Sequence, residues 1–408
     1  MRTMDVLTDK SITDVPYFKA AGIHSGLKKN EKKDLCVIFS EKECVAAASF
    51  TTNKVKAAPV QLNMKHIESK NIQAIVVNAG NANACTGDDG YQKSLEMAKI
   101  TANCLGIKPV ETLVASTGVI GVPLPMDIVV PGIRKACEAV SSDGGNDAAE
   151  AIITTDTCTK KVTVKFNLGS KTAMISGMAK GSGMIHPNMA TMLGFIVTDA
   201  NITKSMLTRA LKESVEESYN MISVDGDTST NDMVMVLANG AAENPLISSE
   251  DISYFKFKEA LHYVNVELAK MIAQDGEGAT KLIEVKLYNA RSLKDARICA
   301  KSVITSSLVK AAFFGNDANW GRILCALGYS DGNFNPNSVD VLFSSDVGTV
   351  QICRKGASVD FDEDLATKIL NREHVTVAID LHDGEYNATA WGCDLTYDYV
   401  KINGSYRS

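Results

Sequence analysis

Patterns that would direct a chain to a membrane or out of the cell are missing from this sequence. Residues 1–10 contain no apolar h-region, so no secretory signal is evident. No uncharged apolar run approaches about 18 residues, which argues against a membrane span. The ten cysteines include no Cys-x-x-Cys pair, and those in apolar surroundings, such as Cys36 and Cys325, are predicted to be buried reduced thiols. We therefore expect a cytoplasmic protein with no membrane partner.

An excess of positive charge is also missing. The formal net charge is −6, so the chain lacks the basic surface that is typical of nucleic-acid binding. A hydrophobic share of 45% and a charged share of 22% are ordinary for a globular protein. The 408 residues are enough for two large core regions. We expect no nucleic-acid partner, and no pattern in the chain makes us expect a bound metal or a cofactor.

The apolar pattern predicts a mixed α/β fold. Short apolar runs predict strands at residues 35–39, 44–50, 74–77, 162–166, 173–178, 193–197 and 282–287. Helical spacing predicts helices at residues 94–105, 204–219, 255–272 and 295–313. Gly106 is the expected C-cap of the first of these helices. Strands of this kind need helices to cover them, which predicts a layered α/β arrangement.

Residues 180–195 predict a site where the protein cuts its own backbone. Gly181, Gly183 and Pro187 make an irregular segment, and an apolar run suited to a buried strand follows at 193–197. A Thr between such a loop and such a strand can be held rigidly, with its hydroxyl facing the preceding carbonyl. Attack by Thr191 on Ala190 would give an ester, and water would then free Thr191 as a new N-terminus. The α-amine of that Thr, with a reference pKa of roughly 7.7–8.0, would serve as its own base.

Other patterns allow different interpretations. A loop of small residues leading into a strand is common in structural roles. Asp225 and Asp227 follow an apolar stretch, as the nucleophile and acid of a magnesium-dependent phosphatase of the haloacid-dehalogenase type would, although a supporting turn is preferred. A calcium loop fails because Thr230 and Val236 occupy its diagnostic positions. Ser330 lies in Gly-x-Ser-x-Gly, but turn-forming residues follow where a nucleophile elbow needs a helix.

The chain resembles the ornithine acetyltransferase family of the cyclic arginine pathway. Besides 180–195, the blocks that carry this resemblance lie at residues 50–60, 78–87, 115–121, 222–232, 274–280, 317–322 and 403–408. They span most of the chain in the expected order. The resemblance implies a layered α/β sandwich like that of the self-processing acetyltransferases and aminopeptidases. It also implies cleavage into residues 1–190 and 191–408, which stay intertwined in an assembly of two copies of each fragment.

The same resemblance assigns roles to individual residues. Thr191 is the nucleophile, and Thr117 with Gly118 forms the oxyanion site, for which the glycine-containing turn 116–121 is suited because an amide N–H can point at the developing charge. The substrate-binding positions are Thr157, Lys180, Thr191, Glu277, Asn403 and Ser408. Lys180 is expected to pair with the substrate carboxylate and Glu277 with its ammonium. Thr154 stays open as the alternative to Thr157.

The implied reaction moves an acetyl group from N2-acetylornithine to glutamate through an acetylated Thr191. Whether acetyl-CoA also serves as a donor stays open, because no glycine-rich phosphate cradle stands out. The nearest alternative is a related N-terminal-nucleophile aminopeptidase, which would pass the acyl group to water. A non-catalytic binding protein with the same fold is a further class.

Overall fold

The computed structural model describes residues 4–186 and 192–405. The chain forms two compact units: the first comprises residues 1–181, 187–219 and 228–268, and the second 182–186, 220–227 and 269–408. Each unit contains residues from both sides of the predicted cleavage point. The fragment boundary 190/191 itself stays a prediction, since residues 187–191 lie outside the described part of the chain. Among the described residues, no helix is both long and apolar enough to cross a membrane.

The first unit is built on a nine-stranded sheet. Its strands are β1 (Met4–Leu7), β2 (Phe18–Ile23), β3 (Leu35–Phe50), β4 (Ile72–Asn81), β5 (Thr112–Val119), β6 (Lys160–Leu168), β7 (Lys171–Lys180), β8 (Leu193–Thr198) and β10 (Met233–Ala238). The strand order is β1-β6-β7-β8-β10-β3-β4-β5, with β2 paired to β3. The pairs β8–β10 and β4–β5 are parallel. All six residues of β8 and of β10 are buried, as interior parallel strands require.

Helices cover both faces of part of this sheet. They are α1 (Ala58–His66), α2 (Gly87–Leu105), α3 (Met126–Glu138), α4 (Gly145–Ala151), α5 (Lys204–Glu216) and α6 (Ile252–Gln274), whose residues from Ala269 on belong to the second unit. Leu35 and Val37 of β3 join a core with residues of α2 and α3. Cys36 and Ile38 point the opposite way, into a core that includes α4. This period of two confirms the layered α/β prediction.

The second unit contains a seven-stranded sheet in the order β14-β13-β12-β15-β11-β16-β9. Its strands are β9 (Ile222–Ser223), β11 (Leu282–Ala290), β12 (Asp340–Ser345), β13 (Gly348–Arg354), β14 (Ala357–Ser358), β15 (His374–Asp380) and β16 (Tyr386–Cys393). Its helices are α7 (Leu293–Thr305), α8 (Ser307–Phe314), α9 (Trp320–Gly328), α10 (Glu363–Leu370) and α11 (Tyr397–Gly404). The apolar side of α7, from Ala296 to Ile304, packs on β11 and β16.

Three sequence predictions are wrong in detail. Residues 35–50 form one strand, because its first part pairs with β2 and β4 while its second part pairs with β10, and the polar residues 40–43 only shift the register. The single helix predicted at 295–313 is divided at Ser306, whose extended backbone ends α7 and whose side chain accepts the Val309 N–H to cap α8. Cys325 is exposed, whereas Cys36 is buried as predicted.

Candidate active site

The predicted oxyanion pair lies at the end of β5, against the end of β4. Gly118 is the parallel partner of Gly80. Its φ of +132° is a conformation that side chains rarely allow, and a Cβ on it would lie 2.3 Å from the Gly80 carbonyl carbon. Only glycine fits both restrictions. The side chain of Thr117 is nearly buried, with the residue 9% exposed.

Asparagine side chains hold this strand end in place. Ser116 Oγ donates to Asn78 Oδ1 at 2.6 Å. The Asn231 side-chain amide donates to the carbonyls of Ser116 at 2.8 Å and of Ala82 at 2.6 Å. All three of these polar side chains are buried, so their hydrogen bonds are not exchanged with solvent. Two of the sequence blocks, 78–87 and 222–232, thus supply the support of the turn that carries Thr117 and Gly118.

Lys180 ends β7 beside this turn. Its ammonium donates to Thr117 Oγ1 at 3.4 Å and lies 3.9 Å from Asp156 Oδ2. Lys180 is 8% exposed, so the ammonium is largely removed from water. The structure therefore brings together three residues of the first unit that were predicted for the site: Thr117, Gly118 and Lys180.

Asp156 is the residue that the sequence analysis missed. Its Oδ1 accepts from Lys160 Nζ at 2.8 Å and from the Gly181 N–H at 2.7 Å, and its Oδ2 accepts from the Thr154 N–H at 3.0 Å. Burial alone would raise the pKa of this carboxyl, but the charges of Lys180 and Lys160, with the hydrogen bonds from Lys160 and the Gly181 N–H, lower it to about 2. Asp156 therefore stays ionised and links Lys180 to the segment 154–157.

Two lysines of this cluster share one carboxylate. Lys160 and Lys180 are both buried, and Asp156 pairs with both of them. Lys160 Nζ lies 2.8 Å from Asp156 Oδ1, while Lys180 Nζ lies 3.9 Å from Asp156 Oδ2. Buried charges are costly unless they are paired, so the ammonium of Lys180 is suited to take a ligand carboxylate as a further partner.

Thr157 follows Asp156 directly and is exposed, whereas Thr154 is half-buried and bound to Asp156 through its backbone. Both belong to the segment that Asp156 anchors. Thr157 as the substrate-binding residue stays a prediction, and so does the alternative Thr154.

The second unit brings together two further predicted residues. The Asn403 side-chain amide, on α11, donates to Glu277 Oε2 at 2.8 Å and to the Tyr399 carbonyl at 3.1 Å. Glu277 is 7% exposed. Its backbone N–H donates to the Ser182 carbonyl at 3.0 Å, and a Cβ on Gly183 would lie 2.3 Å from its carboxylate oxygen. Glu277 therefore contacts both the C-terminal helix and the segment 182–186.

Asp225 has a structural task in the same unit. Its carboxylate accepts the N–H groups of Met184 at 2.6 Å, Ile185 at 2.8 Å and Asp227 at 3.2 Å. Among the described residues, no group of three or more His, Cys, Asp or Glu side chains could hold a metal ion. The supporting turn that the sequence analysis preferred to the phosphatase interpretation fits these contacts.

His186 closes the same segment. Its Nδ1 lies 3.1 Å from Ser223 Oγ, and burial together with the charge of Lys301 lowers its pKa to about 4. It is therefore neutral at neutral pH. Ala190, Thr191 and Ser408 lie outside the described residues, and their predicted roles as cleavage pair, nucleophile and substrate contact stay predictions.

Comparison with known proteins supports the resemblance across the chain. A model of the ArgJ family matches residues 19–408. The arginine biosynthesis bifunctional protein ArgJ 1 of Clostridium acetobutylicum is 65% identical over 408 residues, which is all of both chains. The arginine biosynthesis bifunctional protein ArgJ of Caldanaerobacter subterraneus subsp. tengcongensis is 54% identical over 391 residues, 96% of this chain and 97% of the relative.

Two solved structures are also similar. The arginine biosynthesis bifunctional protein from Bacillus halodurans is 44% identical and covers 50% of this chain and 95% of that one, with a TM-score of 0.48. The ornithine acetyltransferase of Mycobacterium tuberculosis, complexed with ornithine, is 34% identical and covers 46% of this chain and 100% of that one, with a TM-score of 0.43. Given the family match over residues 19–408 and the end-to-end identity of 65%, this chain belongs to the ArgJ family.

Proposed function

We propose that this protein transfers the acetyl group of N2-acetylornithine to glutamate, in arginine biosynthesis. The observation that supports this most directly is the cluster in the first unit. There Thr117 Oγ1, in the turn of Thr117 and Gly118, lies 3.4 Å from the ammonium of Lys180, and Lys180 shares the carboxylate of Asp156 with Lys160. An oxyanion turn beside a buried cation is suited to acyl transfer from an anionic amino acid. The relatives at 65% and 54% identity are named for arginine biosynthesis.

The enzyme first processes itself. The hydroxyl of Thr191 attacks the carbonyl carbon of Ala190, the C–N bond breaks, and the nitrogen of Thr191 takes up the proton to become a free amine. Water then hydrolyses the ester between Ala190 and the Thr191 oxygen. The products are the fragments 1–190 and 191–408, and the second begins with its own nucleophile and base.

Acetyl transfer follows in two steps. The Thr191 amine accepts the proton of its hydroxyl while the oxygen attacks the acetyl carbonyl of acetylornithine. The oxyanion is stabilised at Thr117 and Gly118, and ornithine leaves with the proton on its α-amine. The α-amine of glutamate then attacks the acetyl-Thr191 ester, which gives N-acetylglutamate and restores the hydroxyl. One well-placed oxyanion donor is typically worth about 3–4 kcal/mol of barrier lowering.

Recognition of the substrate is assigned to charged and polar groups. Lys180 pairs with the substrate carboxylate, and Glu277 pairs with its side-chain ammonium. Thr157, Asn403 and Ser408 add polar contacts. Both charged groups are less than one-tenth exposed, so each gains from a partner of opposite charge.

Acetyl-CoA is proposed as a second acetyl donor for glutamate, because the relatives are named bifunctional. We further propose an assembly of two copies of each fragment and a place in the cytoplasm. The aminopeptidase alternative is not retained, since relatives that match the chain from end to end are named for arginine biosynthesis.

The test is to incubate the purified protein with acetylornithine, with and without glutamate, and to measure ornithine and N-acetylglutamate. We expect catalytic ornithine release only when glutamate is present, and one acetyl group on the fragment 191–408 when it is absent. Double-reciprocal plots should give parallel lines. Continued ornithine release without glutamate, with free acetate as the product, would instead identify a hydrolase.

A further inference from the structure

Lys28 is a half-buried lysine in the loop between β2 and β3 to which the proposed reaction gives no role. Its ammonium donates to the carbonyl of Ile153 at 2.7 Å and to the carbonyl of Lys33 at 2.7 Å. Ile153 is 125 residues away in sequence and immediately precedes the segment 154–157. A side chain that spans such a separation fixes one segment against another.

The backbone around Lys28 is itself fixed. Asp34, whose side chain is fully buried, accepts the N–H groups of Ser25 at 2.6 Å, Gly26 at 3.2 Å and Lys28 at 2.9 Å. A carboxylate that accepts several backbone N–H groups holds a loop in one conformation. Lys28 therefore presents its side chain from a rigid base.

Two contacts connect Lys28 to the cluster of Thr117, Gly118, Asp156 and Lys180. Through Ile153 it holds the segment that contains Asp156, the carboxylate partner of Lys180. Its Cγ lies 3.6 Å from the position of a Cβ on Gly80, and Gly80 is the strand partner of Gly118. The ammonium of Lys28 thus supports the segment that pairs with Lys180, and its aliphatic stem lies beside Gly80, the strand partner of Gly118.

We propose that Lys28 is a positioning residue of acetyl transfer, which acts through Ile153 and Asp156 on Lys180 and Thr157. This inference rests on the proposed function, because its effect is on the binding of the acetyl donor. Lys28 does not touch the reacting atoms in this role. Removing its ammonium should loosen the segment 154–157 and weaken substrate binding, while the chemistry on Thr191 persists.

The charge of Lys28 adds a second consequence. Burial lowers its pKa to about 8, with Lys32 and Lys180 acting in the same direction and Asp34 and Asp156 opposing them. Above that pH the lysine is neutral, its hydrogen bonds to the two carbonyls weaken, and the cluster loses one positive charge. Affinity for an anionic substrate should therefore fall as the pH rises through about 8.

The experiment compares Lys28→Met, which keeps the stem but lacks the ammonium, with Lys28→Arg, which keeps a cation that does not titrate near pH 8. Lys29→Met, at the exposed neighbouring lysine, is the matched control. At pH 7 we expect Lys28→Met to raise KM for acetylornithine at least about tenfold, with kcat within about threefold, since hydrogen bonds to a charged group are lost. Lys29→Met should match the wild type.

The pH profile separates positioning from a merely structural role. Wild-type KM should rise between pH 7 and pH 9, whereas Lys28→Arg should show no such rise. If a thermal unfolding measurement shows that Lys28→Met does not fold, the pH profile of Lys28→Arg alone decides. An unchanged KM in Lys28→Met, or the same pH dependence in Lys28→Arg as in the wild type, overturns the inference. A wild type that does not transfer acetyl groups at all overturns the proposed function instead.

Discussion

At the scale of single residues, the predicted substrate-binding positions include buried charged side chains. Glu277 has an Asn403 amide as a hydrogen-bond partner and packs its carboxylate against Gly183, where even a methyl group would not fit. An amide neutralises no charge, so the carboxylate can gain from a cationic ligand. The side-chain ammonium of the acetyl donor has the complementary charge.

Changing Glu277 to Gln tests that pairing. Gln has the same size, so the packing against Gly183 is kept while the negative charge is lost. We expect kcat/KM for acetylornithine to fall. The fall should correspond to a loss of about 2–5 kcal/mol in transition-state binding, the range for truncating one partner of a buried charge pair. Self-cleavage should be nearly unaffected, because no substrate takes part in it. Normal kinetics in a fully cleaved variant would remove Glu277 from the site.

How far the sequence predicts such residues depends on how local their contacts are. Gly118 was identified because it lies in the block 115–121, which resembles the ornithine acetyltransferase family and whose turn suits a backbone donor. Asp156 was not identified, although it lies between the two candidate substrate-binding residues Thr154 and Thr157. Its contact with Lys180 depends on the register of β6 and β7, in which Lys160 faces Ala179. That register brings Lys180 to the carboxylate of Asp156, 24 positions earlier in the chain, and no spacing along the chain indicates this contact.

At the scale of elements, the site depends on two parallel strands that end together. β4 and β5 run side by side to Gly80 and Gly118, where a Cβ on Gly118 would clash with the Gly80 backbone. The apolar pattern predicted the core of β4 but not its extension to Asn81. The helix predicted at 295–313 was wrong at Ser306, because a serine inside an apolar periodicity can cap a new helix only if tertiary packing favours the break.

Replacing Gly118 with Ala tests the strand end. The φ of +132° and the 2.3 Å approach to Gly80 leave no room for a methyl group, so the backbone must move and carry the oxyanion donor with it. We expect kcat to fall about 100-fold or more at saturating acetylornithine. Gly121→Ala is the matched control, since it also has a positive φ of +79° but nothing within 4 Å of the new Cβ. Equal kcat values for the two variants would contradict the assignment.

At the scale of the whole molecule, the sheet of the first unit combines strands from both predicted fragments. β8 belongs to residues 191–408, yet it pairs with β7 of the N-terminal fragment on one side and with β10 on the other. β10 in turn pairs with β3. The sequence predicted the buried strand at 193–197 but not its neighbours, because pairing between distant strands is fixed by the packing of the sheet.

This sharing predicts how the processed protein behaves. On a denaturing gel the wild type should give two fragments, the smaller ending at Ala190, whereas Thr191→Ala should remain one chain of about 43.7 kDa. In native gel filtration the two fragments should elute together, because cutting between β7 and β8 leaves every described strand pair of the sheet intact. They should separate only in denaturant, as the buried strand β8 is released. Cleavage of Thr191→Ala at the same bond would show that Thr191 is not the nucleophile of processing, and fragments that separate without denaturant would contradict the shared sheet.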